Sequence, residues 1–198
     1  KQLGSHGFRA VLWHQGESDA TNGVSRRTYL VALSQMLDEL QTDTGFTDLK
    51  LVAASLGAIE NKQITRPELD AIRLGIADAW EQDSDILPGP VTYDVNLGNT
   101  NEGNGIHFET NDELRTLADR WWATIKHNFY GGADGRGPRL RSAQRNREKT
   151  EITLVFSDET LPLTPPQGLG GFRVLDDGNP VAVTSVQRTA SDTVKITL

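Results

Sequence analysis

The chain has 198 residues, a formal net charge of -7 and a sequence pI of about 5.1. That length allows one domain or two small ones, and the acidic balance argues against a general binder of phosphate backbones, which needs a basic face. Cysteine is absent, which excludes disulfides, thiolate-held zinc, iron–sulfur clusters and a thiol nucleophile. No apolar run approaches the roughly 18–20 residues that span a bilayer.

Residues 8–13 read as a first strand whose apolar end (Val11, Leu12, Trp13) runs straight into His14, Gln15, Gly16, Glu17, Ser18 and Asp19. In open parallel sheets, ligands bind at the C-terminal ends of strands, and no other segment gathers so many hydrogen-bonding side chains. A loop is expected over 19–23. Ser25 then caps a helix whose apolar face is Tyr29, Leu30, Leu33, Met36, Leu37 and Leu40, ending near Gly45. Residues 49–54 are apolar enough for a strand buried on both faces. Thr65 and Pro67 open a second helix, with Leu69, Ile72, Ile76 and Trp80 as its buried stripe.

A short third strand is expected at 90–95, followed by an Asn- and Gly-rich loop over 96–105. The loop delivers Ile106, His107 and Phe108. Thr110 and Glu113 have capping-box spacing, and Leu114, Leu117, Trp121 and Ile125 form the face of a last helix ending near Gly131. Strands alternating with helices at this spacing imply a parallel sheet with helical crossovers. The elements are fewer than a complete doubly wound domain has, and the sequence opens without Met or a signal-peptide pattern. The expectation is therefore a domain truncated at its N-terminus.

After Gly131 the pattern changes. Residues 131–138 read as a Gly-rich linker, and the basic run from 136 to 149 as a solvated, flexible continuation of it. Beyond lie short strands at 151–156, 171–175, 180–186 and 193–198, separated by Asp-Asp-Gly-Asn and Thr-Ala-Ser-Asp turns. The two expected domains are 1–131 and a β-rich, sandwich-like module at 132–198. Phe156 and Phe172 are expected in its core, which leaves no aromatic platform and favours a structural role.

Gln15, Glu17 and His107 suggest a chemistry. A carboxylate holds a His in one tautomer and stabilises its imidazolium, and a side-chain amide at a strand end can donate to a developing oxyanion. These are two of the three parts of an ester hydrolase, the third being a nucleophilic Ser. A metal held by His14, Glu17 and His107 is the lesser alternative, because no spaced ligand cluster supports it. Trp13, Trp121 and Trp122 are expected in the core; His6 and His127 are expected to be surface or satisfied core residues and not catalysts.

Residues 13–19, Trp-His-Gln-Gly-Glu-Ser-Asp, resemble the third conserved block of SGNH-type hydrolases, in the sialate O-acetylesterase and acetylxylan esterase group (carbohydrate esterase family 6). Residues 104–108, Asn-Gly-Ile-His-Phe, are similar to that family's final Asp-x-x-His block. The resemblance implies a flavodoxin-like three-layer α/β domain and serine-dependent hydrolysis of O-acetyl groups on a sialic acid or polysaccharide. It implies no cofactor and a secreted or periplasmic setting. His107 would be the general base and Glu17 its orienting acid. Gln15, with Gly16, would serve the oxyanion, and His14 and Asn104 would support. Asn104 stands where most members have Asp, which makes Glu17 the better acid, ahead of Asp94. The family's Gly-Gln-Ser or Gly-Asp-Ser block is missing, and neither Ser5 nor Ser18 replaces it, so the nucleophile is expected outside this chain. The alternative is a non-catalytic protein that binds acetylated glycan.

Overall fold

The computed structural model of the chain describes residues 7–57, 65–92, 95, 107–108, 110–134, 140–157, 172 and 174–198. It divides into two compact units, Lys1–Arg136 and Gly137–Leu198.

The first unit is built on a parallel sheet of β1 (Ala10–Trp13), β2 (Lys50–Ser55) and β3 (Ile86–Val91), in the order β1-β2-β3. Two long helices, α2 (Arg26–Thr44) and α3 (Arg66–Gln82), return the chain between strands. Ser25 starts α2 by accepting the Thr28 backbone N–H at 3.2 Å, and Gly45 ends it in the left-handed region. A capping box of Thr65 and Glu68 starts α3. The four-residue spacing of Tyr29, Leu33 and Leu37, and of Ile72 and Ile76, puts each set on one helix face. These side chains close over Leu51, Ala53 and Ile86 as one buried cluster. Val52 and Ala54 alternate with them along β2 and are equally buried. The sheet is therefore covered on its second face too, where α4 (Asn111–Tyr130) packs along β3. Thr110 and Glu113 cap α4 as their spacing requires, and Gly131 ends it in the left-handed region.

Two elements differ from expectation. The third strand runs over Ile86–Val91, earlier than 90–95, and contains Pro88 and Pro90. Proline removes a ladder donor and is tolerated at a sheet edge, where β3 lies. Its carbonyls are met by α4 instead: Arg120 donates to Val91 O at 2.6 Å and Asn128 to Pro88 O at 2.9 Å. The expected loop at 19–23 begins as a helical turn, α1 (Glu17–Thr21), closed by the Ala20 N–H on Gly16 O at 2.8 Å. Glu17 and Asp19 favour it by placing acids at the positive end of the turn.

The second unit is an antiparallel sheet of β4 (Leu140–Arg145), β5 (Glu151–Phe156), β9 (Thr193–Thr197) and β8 (Ser185–Arg188), in the order β4-β5-β9-β8. A separate hairpin comprises β6 (Val174–Asp176) and β7 (Asn179–Val181). Leu154, Val194 and Ile196 form the core, with Phe156, Phe172 and Val174 packed against it. The Asp-Asp-Gly-Asn turn joins β6 to β7 with Asp177 and Gly178 both at positive φ, 48° and 82°, the geometry of a tight hairpin turn. The basic run is not a flexible linker throughout, because residues 140–145 pair with β5 as an edge strand. Its sequence, Leu-Arg-Ser-Ala-Gln-Arg, carries no apolar alternation because nearly all of it is exposed, and its arginines suit an unpaired edge. The expected strand at 180–186 is divided between β7 and β8, which belong to different sheets.

Candidate active site

The three parallel strands end at the same edge of their sheet, and the site is assembled there. His14 follows β1, Ser55 ends β2 and Thr92 follows β3. The Thr92 hydroxyl, completely buried, donates to Ser55 O at 2.7 Å and lies 3.4 Å from His14 Nε2. A hydroxyl has one proton and a carbonyl has none. With the Thr92 proton on Ser55, the His14–Thr92 contact requires a proton on Nε2, which fixes the tautomer of His14. Burial pushes the His14 pKa below its ordinary value, so the ring is neutral at neutral pH.

The turn from β1 into α1 is held from below. Tyr29 on α2 accepts the Trp13 indole N–H at 3.2 Å and donates its own proton to the backbone carbonyl of Gln15 at 2.5 Å. Burial raises the Tyr29 phenol to about 12, so this donor keeps its proton throughout the useful pH range. Gly16 sits at φ 150°, and a Cβ there would stand 2.7 Å from Ile72 Cγ2, 3.0 Å from the Tyr29 hydroxyl and 3.1 Å from Leu56 Cδ1. Gly16 is thus buried under the turn and allows it to lie close on α2 and α3.

Above this support lies a cleft of about 440 Å³ lined by His14, Gln15, Glu17, Ser18, His107, Phe108 and Leu114. Four of the sequence candidates, His14, Gln15, Glu17 and His107, come together in it. Burial raises the Glu17 pKa; hydrogen bonding to backbone at Glu17 and Gly16, and the His107 imidazole, pull it back down, while Asp19 adds to the rise. His107 is exposed at the cleft. No hydrogen bond or ion pair among the described residues joins it directly to Glu17, so the two are coupled through space. Nor does any described residue hydrogen-bond the side-chain amide of Gln15. Asn104, Asp94, Ser5 and His6 lie outside the described residues.

Three further residues shape the site without having stood out in the sequence. Tyr29 reads there as a core position of α2, Thr92 as an ordinary strand residue, and Phe108 as an apolar neighbour of His107. Of the three, only Phe108 lies within one of the two polar blocks. His127 is structural: Nδ1 lies 3.0 Å from Gly132 O at the end of α4. Trp13 packs on the core cluster and Trp121 sits half-buried against His14, but Trp122 is 57% exposed, with Lys126 over its ring. The i, i+1 spacing of the tryptophans turns them to different sides of α4. Among the described residues, no group of three or more His, Asp or Glu is placed to hold a metal ion. No helix among them is long and apolar enough to cross a membrane.

A family model described as carbohydrate esterase, sialic acid-specific acetylesterase, matches residues 1–115. Among solved structures, the chain is similar to the crystal structure of a carbohydrate acetylesterase from Xanthomonas citri, with a TM-score of 0.71 at 17% identity. The match covers 96% of this chain and 41% of that one, so the chain spans about two fifths of the length of that protein. At this identity the likeness speaks to the fold, an α/β domain followed by a β module. No curated protein sequence matches.

Proposed function

The chain belongs to the sialic acid-specific acetylesterase family of carbohydrate esterases, and we propose that it carries the acid–base and oxyanion side of a serine-type O-acetylesterase acting on an acetylated carbohydrate. One observation carries this reading: Gln15, Glu17 and His107, from two separate sequence blocks, line one cleft at the C-terminal edge of the parallel sheet. His107 takes the proton of a serine hydroxyl as its oxygen attacks the acetyl carbonyl. The Gln15 amide donates to the oxyanion that forms. Glu17 favours the imidazolium through space. His107 then returns the proton to the departing sugar oxygen, leaving the acetyl group on the serine. Water, activated by the same His107, releases it as acetate. An acetylated sialic acid or an acetylated polysaccharide fits this chemistry equally, in a secreted or periplasmic setting.

No Gly-Gln-Ser or Gly-Asp-Ser block occurs among the 198 residues. Ser18 lies on α1 at the rim of the cleft, in a helix and not on a strand-end turn. In this reading the nucleophile is a serine outside these residues. The test is hydrolysis of p-nitrophenyl acetate, and of acetylated sialic acid and acetylated xylan, by the purified chain and by a polypeptide extended upstream. The chain alone is expected to be inactive, and the extended protein active only with both His107 and its upstream serine. Turnover by the chain alone, abolished by Ser5→Ala, would overturn that placement. An extended protein that binds acetylated glycan without turnover would favour the binding alternative.

A further inference from the structure

The environment of His14 carries an inference about how His107 is placed. The imidazole of His14 is held on one side by Thr92, whose hydroxyl is itself bound to the end of β2. Its ring faces Phe108 with centroids 5.7 Å apart at 40°, and meets the edge of Trp121 at 6.3 Å and 66°. Trp121 belongs to α4, and Phe108 is the residue directly after His107. His14 is thus at once tied to the ends of β2 and β3 and packed against the segment that presents His107. Aromatic pairs at such separations attract one another beyond their burial, which biases a short connecting segment towards one seat.

We propose that His14 is a positioning residue: its ring, anchored on Thr92 and packed on Phe108 and Trp121, seats the His107–Phe108 segment so that the His107 imidazole faces Glu17 and Gln15 across the cleft. The proposal rests on the reading of His107 as the general base, and it adds what sets that base in place. A misplacement of about 1 Å can cost on the order of a hundredfold in rate, so the seat of this segment matters as much as the identity of the base.

The test separates the positioning role from the esterase reading by observing His107 directly. In the 15N-labelled 198-residue protein, long-range imidazole spectra resolve the rings of its four histidines, assigned by His14→Phe, His107→Gln and His127→Gln variants. His14→Ala removes ring and anchor together and is expected to shift and broaden the His107 signals. His14→Phe keeps the ring contact with Phe108 and should restore the parent His107 signals in large part. Phe108→Leu removes the contact from the other side and should reproduce the effect of His14→Ala, which keeps the test decisive if His14→Ala does not fold. Parent-like His107 signals in folded His14→Ala and Phe108→Leu proteins would overturn the proposal and leave the esterase reading untouched. Conversely, unchanged ester hydrolysis in His107→Gln of an active, extended protein would remove the base and leave the measured seat of the segment standing.

Discussion

The Tyr29 hydroxyl donates to the backbone carbonyl of Gln15 at 2.5 Å while accepting the indole N–H of Trp13 at 3.2 Å. One buried side chain of α2 therefore pins both the last residue of β1 and the second residue after it. The Gln15 side chain lines the cleft in front of this anchor. Tyr29→Phe keeps the ring and removes both bonds, leaving a carbonyl and an indole N–H without partners. It should cost about 1–3 kcal/mol. All four tryptophans, Trp13, Trp80, Trp121 and Trp122, lie in the first unit, so urea unfolding followed by tryptophan fluorescence reads that cost without interference from the β unit. An unchanged midpoint would show that the turn is held by other contacts.

Gly16→Ala tests the same turn from the other side. The added methyl would meet Ile72, Tyr29 and Leu56 inside ordinary contact distance, at a φ that side chains rarely adopt. Strain and overpacking together should cost about 2–4 kcal/mol. The variant should also lose hydrolysis in any active form of the protein, because the turn cannot lift without moving Gln15 and Glu17. Retained stability with retained activity would mean that the turn is more compliant than these contacts imply.

The β unit makes an independent prediction. Asn146 closes the β4–β5 turn: its Oδ1 accepts the N–H groups of Thr150 and Glu151 at 2.9 and 3.0 Å, and its Nδ2 donates to Thr150 Oγ1 at 2.9 Å. Asn146→Ala should cost about 1–2 kcal/mol in this unit alone. The expected result is a lower-temperature β-sheet transition by circular dichroism with the tryptophan-fluorescence midpoint unmoved. A coupled shift in both would show that the two units unfold together.

The sequence was most legible where a local rule and the tertiary fold demand the same residues. Ser25 and Gly45, Thr65 and Pro67, and Thr110 and Glu113 are helix ends on chemistry alone, and the stripes between them are the faces that pack. It misled where tertiary context overrides local preference. Two prolines hide β3, which is permissible only because β3 lies at an edge and α4 supplies its hydrogen bonds. Exposed arginines hide β4, which has no apolar face to display. At the site, the first polar block was visible because it concentrates titratable groups beside an apolar run, and the second because it sets His107 between an Asn- and Gly-rich loop and a capped helix. Tyr29, Thr92 and Phe108 were not, since each serves the site through a partner distant in sequence, at separations of 14, 37 and 94 residues from Gln15, Ser55 and His14. The role of Trp122 also depended on which side of α4 faces the sheet, and neighbouring positions on a helix do not share a side.

Glu17 gives the prediction on which the chemistry turns. Burial holds its carboxyl above the ordinary value of 4.5, with His107 as a counteracting attraction. Because the proton is bound more tightly in the folded protein, Glu17 contributes stability that is fully present below pH 4.5 and is lost as pH rises through the raised folded value. Glu17→Gln should therefore be more stable than the parent near neutral pH, with the difference vanishing in acid below the ordinary carboxylate range. Activity should move the opposite way. In an active form of the protein, Glu17→Gln should lower kcat by on the order of 10²–10⁴. A residue under selection only for folding would not pair a gain in neutral-pH stability with a collapse in turnover. Asn104→Ala, an uncharged residue in the block of His107, should change kcat only a fewfold. If Asn104→Ala proves the more damaging change and Glu17→Gln the milder, the acid that orients His107 is not Glu17.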